Sequence, residues 1–84
     1  MTYSVIWLPD VEQELAAIWM QAGDKTAITQ SANQIDAALR RNAPNEGESR
    51  PGGRRILFVF PLGVIFRVLP DNRTVQVSRV WRVN

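Results

Sequence analysis

Eighty-four residues at 45% apolar content, with three Trp and three Phe, allow one small domain over 1–84 with a single modest core. The chain has neither Cys nor His, which excludes disulfides, thiolate chemistry and any Ser-His-Asp arrangement. The net charge of +2 is unevenly laid out: residues 1–24 carry Asp10, Glu12, Glu14 and Asp24 and no base, whereas residues 50–84 carry seven Arg against Asp71 alone.

No apolar run approaches the ~18 residues of a membrane span. Met1–Leu8 lacks the basic start and long apolar stretch of a signal peptide, so the expected location is cytoplasmic, with no membrane partner.

In chain order, Tyr3–Leu8 (YSVIWL) has the β-branched and aromatic content of a strand, and Pro9 ends it. That strand is expected to join the sheet beside one of the later strands. From Pro9 a helix is predicted: proline suits a first helical position, and Asp10, Glu12 and Glu14 favour the positive end of its dipole. Val11, Leu15, Ile18, Trp19 and Ala22 form one apolar stripe, and Gly23 stops the helix. Asp24 is a good N-cap for a second helix over about 25–41, with Ile28, Ala32, Ile35 and Leu39 in phase. So short a connection predicts an antiparallel helical hairpin. Trp7 and Trp19 are assigned to the core or to a contact with a partner protein, the core being the first choice.

Asn42–Gly53 (NAPNEGESRPGG) is polar, rich in Gly and Pro, and is read as a loop. Three strands follow: Ile56–Phe60, Val64–Leu69 and Thr74–Trp81. Phe60-Pro61-Leu62-Gly63 and Pro70-Asp71-Asn72-Arg73 carry the turn chemistry between them. The expected fold is α+β in the order β-α-α-β-β-β, a helical hairpin on one face of an antiparallel sheet whose other face stays uncovered.

Alternation assigns Val64, Phe66 and Val68 to the core and turns Arg67 to the uncovered face, where it either pairs with Glu46 or Glu48 or contacts a ligand. In the last strand, strict alternation from Val75 and Val77 would bury Arg79 and expose Val80. A β-bulge at Ser78–Arg79 removes both faults, returning Val80 to the core and swinging Arg79 and Trp81 to the open side. Nine of the ten basic residues are Arg, the side chain suited to forked contacts with phosphate or carboxylate. Arg54, Arg67, Arg79 and Arg82 are expected to rim the open face. Trp81 either stacks on a base there or simply covers the core edge.

The segments VIWLPDVEQELAAIW, GESR followed by GRRILF, VIFRV and VSRVWR, in this order, resemble the RelE/ParE superfamily of bacterial toxins over essentially the whole chain. The resemblance implies the toxin half of a toxin–antitoxin pair. RelE-like members cut mRNA in the ribosomal A site without a metal, and ParE-like members poison DNA gyrase. Both are silenced by an antitoxin whose extended and helical segments wrap the toxin. Arg82 matches the basic residue that closes the family's last strand, and Arg54 or Arg55 the basic pair that opens an earlier one. Glu48 lies where some nuclease members place a carboxylate. Gly63 stands where an arginine is usual, and the late Tyr or His of the nucleases is missing.

By this likeness the catalytic candidates are Glu48, Arg67, Arg79 and Arg82. The nucleic-acid contacts would be Arg54, Arg55, Arg67, Arg79, Trp81 and Arg82, with no metal or cofactor. Cleavage would proceed by attack of a ribose 2′-OH on the adjacent phosphate, with Glu48 as base and arginines stabilising the phosphorane. The expected partners are an antitoxin and either the ribosome with its mRNA or DNA gyrase. mRNA cleavage is the leading expectation. Gyrase inhibition and a catalytically inactive binding module remain open, as does the oligomeric state.

Overall fold

The computed structural model describes residues 2–83. Strand β1 (Ser4–Trp7) leads into helices α1 (Pro9–Gln21) and α2 (Lys25–Asn42). Four strands follow: β2 (Glu48–Arg50), β3 (Arg54–Val59), β4 (Leu62–Leu69) and β5 (Thr74–Arg82). They form one sheet in the order β1-β5-β4-β3-β2, with the helical hairpin on one face.

Both helices begin as their sequences require. Leu8 offers α1 no side-chain cap, but its carbonyl accepts from the Val11 and Glu12 amides at 2.9 Å each. The Asp24 carboxylate accepts from the Ala27 amide at 3.0 Å and caps α2. Lys25 closes the other side of the joint by donating to the Ala22 carbonyl at 3.0 Å. Val11, Ile18, Ala22, Ile28, Ile35 and Leu39 then meet Leu62, Val64, Phe66, Val75, Val77 and Val80 of the sheet in one core. Each large apolar side chain buried there contributes roughly 1.5–3 kcal/mol. Ser31, the one buried polar residue among those described, donates its hydroxyl to the Val59 carbonyl and ties α2 to β3.

Four features differ from the sequence reading. The sheet is mixed, because β1 lies parallel to β5, with Val5 beside Val75 and Trp7 beside Val77. The two intervening helices and three strands give the chain ample length to return in the same direction. The expected loop contains β2, which extends the sheet past β3. Here Gly47 is held at φ +66°, so close to the Ile56 carbonyl that a Cβ would sit 2.1 Å from its oxygen. Leu62 and Gly63 belong to β4 and leave only Phe60 and Pro61 in the turn. Trp19 is 39% exposed, with its indole N–H donated to the Thr29 hydroxyl at 3.2 Å and the Lys25 ammonium over its ring.

The bulge in the last strand is present. Ile65 faces Arg79 and Phe66 faces Val77, so Ser78 has no partner across the ladder. Val75, Val77 and Val80 are all buried, while Arg79 is exposed.

Candidate functional site

Residues directly opposite one another in a sheet share a face, so the register alone maps the uncovered side. One row runs Arg50, Arg54, Arg67, Gln76 across β2 to β5. The next runs Glu48, Ile56, Ile65, Arg79. The third is Phe58, Gly63, Trp81. The face is thus basic towards the β2–β3 hairpin tip and apolar and aromatic towards the β3–β4 turn.

Three guanidiniums in one cross-strand row repel one another. The hairpin tip offsets this with backbone oxygen. Arg54 Nε donates to the Pro51 carbonyl at 3.1 Å, and Arg67 donates to the Gly52 carbonyl at 2.9 Å. Arg50 reaches the Glu48 carboxylate at 3.1 Å. Of the two roles expected for Arg67, the ion pair with Glu46 or Glu48 is absent among the described residues, and a backbone carbonyl anchors it instead. A guanidinium has five N–H donors, so Arg54 and Arg67 keep donors for a ligand.

The aromatic end is built around a missing side chain. A Cβ on Gly63 would lie 2.7 Å from Trp81 ring carbons and 2.9 Å from a Phe58 ring carbon. With only hydrogen there, Trp81 and Phe58 meet edge to face at 5.8 Å between centroids and 84° between planes. Phe58 remains 54% exposed and presents its free side outwards. Trp81 thus takes its place on the open face and not at a core edge.

Of the expected site residues, the structure gathers Arg54, Arg67, Arg79 and Trp81 on this face. Arg79 takes no part in either ion pair among the described residues, Arg40–Asp36 and Arg50–Glu48. Arg55 and Arg82 lie on the other face, and Glu48 lies on this one but far from Arg79. Arg55 faces Phe66 on the helix-covered side and donates to the Glu46 and Gly47 carbonyls at 2.8 and 3.1 Å, holding down the segment before β2. Arg82 faces Leu62, which puts it on the helix side at the exposed end of the sheet. Glu48 is on strand β2 and not in a loop, three strand spacings from Arg79, or about 14 Å. That separation is set at the backbone, and Glu48 turns its carboxylate to Arg50 and not to Arg79.

Arg50 and Phe58 were missed by sequence reasoning. Their signal was there for Phe58: Arg54, Ile56 and Phe58 alternate in step with Arg67, once Gly63 is placed in a strand.

No protein-family model matches the chain, and no curated protein sequence matches it. Solved structures do. A chain of the chromosomal ParDE toxin–antitoxin system from P. aeruginosa aligns at 25% identity and TM-score 0.74, covering 99% of this chain and 98% of that one. A chain of the RelBE2 toxin–antitoxin complex from Mycobacterium tuberculosis aligns at 14% identity and TM-score 0.77, covering 98% and 92%. A variant of the E. coli toxin RelE in the free state aligns at 15% identity and TM-score 0.72, covering 98% and 84%.

Proposed function

Because the chain has the RelE/ParE toxin fold, we propose that residues 1–84 form a single toxin domain, the growth-inhibiting half of a toxin–antitoxin pair, which acts by gripping its target. One observation carries the choice of gripping over cutting. The expected base, Glu48, is paired to Arg50 and stands about 14 Å across the sheet from Arg79. What the open face offers is a binding surface: an aromatic pair, Phe58 and Trp81, beside the unpaired Arg79 and the anchored Arg54 and Arg67. Aromatic residues and arginines are the residues that dominate protein–protein contacts. The target in this reading is DNA gyrase, as for ParE-like toxins, and the 25% identity to a ParDE chain supports that branch. An antitoxin silences the domain in the cytoplasm.

A second reading, ribosome-dependent mRNA cleavage, is favoured by the exposed Arg79 and the row of arginines, which suit phosphate. Expression without an antitoxin is the test. Growth should slow, purified protein should inhibit gyrase supercoiling, and mRNA 5′ ends should be unchanged. New mRNA ends within ribosome-bound codons would establish the nuclease. Unimpaired growth at high soluble expression would leave an inactive binding module.

A further inference from the structure

Along its strands, the open face of the sheet changes character in a fixed order: an arginine row, an isoleucine row and an aromatic row. Arg54 and Phe58, four residues apart on β3, set the outer rows about 14 Å apart, with Ile56 midway at about 7 Å. Both ends are held in place before any ligand arrives. Carbonyls of the hairpin tip anchor Arg54 and Arg67. At the other end the Val83 amide donates to the Pro61 carbonyl at 2.7 Å and ties the end of β5 to the β3–β4 turn. Phe60 in that turn is 73% exposed and adds a third aromatic side chain beside Phe58 and Trp81. Groups fixed in advance lose little freedom on binding.

We propose that, in the gripping reading on which this rests, the open face takes an amphipathic helix of the target protein, laid along the strands with one stripe against the three rows. A helix suits the place, because the other face of the same sheet already carries two and this face carries none among the described residues. Spacing and charge then choose its residues. Positions i, i+4, i+7 and i+11 form one narrow stripe, the last three lying about 6, 10 and 16 Å beyond the first. A large apolar side chain at i meets Phe58 and Trp81, and an aliphatic one at i+4 meets Ile56 and Ile65. Carboxylates at i+7 and i+11 straddle the arginine row. Run in this direction, the helix also brings the negative end of its dipole to the arginines. The eight residues of β4 and three strand spacings give a face of only about 27 Å by 14 Å. That is less than the ~800 Å² per partner of a stable complex, so affinity rests on these few anchors.

Other occupants fit less well. A nucleic acid is charged along its whole length, whereas the aromatic row holds no cation and the middle row holds Glu48, whose side chain is 75% exposed. A second copy meets like charge in either symmetric arrangement. A two-fold axis along the strands lays arginine row on arginine row, and one along the rows lays Arg79 on Arg79.

The test uses isotopically labelled full-length protein and two capped peptides on the same Ala-based helical frame. One carries Trp at i, Leu at i+4 and Glu at i+7 and i+11. The other keeps Trp at i and moves Leu and both Glu to i+2, i+5 and i+9, on the opposite side of the helix. The first should shift the Trp81 indole N–H and the amides of Arg67 and Arg79; the second should not. Phe58→Ala and Arg54→Glu should each weaken binding of the first peptide by about tenfold or more. Arg41→Glu, the same change of charge on α2, should leave it unaltered. If Phe58→Ala unfolds the protein, replacing the peptide's Trp by Ala should give the same loss. Equal binding of the two peptides, shifts confined to α1 and α2, or no shift at millimolar peptide would each overturn the proposal. So would an oligouridylate that shifts the same signals at lower concentration than the peptide, which would assign the face to nucleic acid. Gyrase supercoiling is assayed on the same preparations. Inhibition that survives both Phe58→Ala and Arg54→Glu sinks this inference and leaves the gripping reading standing; new mRNA ends with supercoiling untouched sink both.

Discussion

Two arginines adjacent in sequence, Arg54 and Arg55, do opposite jobs because a strand turns them to opposite faces. Arg55→Ala removes two hydrogen bonds to backbone carbonyls and should cost about 1 kcal/mol in urea unfolding, with growth inhibition kept by the folded fraction. Arg79→Ala removes no bond and should leave stability within about 0.5 kcal/mol while abolishing growth inhibition. Loss of stability with retained inhibition would make Arg79 a structural residue. Gly63→Ala forces a methyl group into the Trp81 and Phe58 rings and should cost about 1–3 kcal/mol, with a changed near-UV signal from Trp81. The opposite faces of Arg54 and Arg55 were legible in principle, since Arg67 was correctly turned outwards. They went unread because the register between β3 and β4 depended on a turn drawn two residues too long.

Among the elements, the bulge in β5 was legible and β2 was not, for a physical reason. Val75, Val77 and Val80 cannot share one face of a regular strand, so the core itself demanded an extra residue. Glu48, Ser49 and Arg50 are all exposed and carry no apolar period. What makes them a strand is backbone geometry, with Gly47 at φ +66° before them and Gly52 and Gly53 at +82° and +74° in the turn after. Gly47→Ala should therefore detach the β2–β3 hairpin, seen as faster amide exchange at Glu48–Arg50 with the core amides unchanged. The α2 signals were local and read correctly. Asp24→Ala should cost about 1 kcal/mol through the lost cap, and Ser31→Ala about 1–3 kcal/mol through the unsatisfied Val59 carbonyl.

For the molecule as a whole, the direction of β1 was the least readable feature, because six residues of sequence carry no record of which way a distant neighbour runs. That pairing sets Ser4 beside Thr74 and Trp7 beside Val77. Contacts between such distant positions form slowly. A chain leaving the ribosome N-terminus first makes its helical hairpin early, with Ile28, Ile35 and Leu39 bare until β4 and β5 emerge to cover them. Fragments ending before Val75 should accordingly be aggregation-prone and protease-sensitive. The same delay postpones the open face of the sheet. Phe58 cannot meet Trp81, nor Arg79 take its place beside Arg67, until β5 is made, so the open face is assembled only after the other four strands exist.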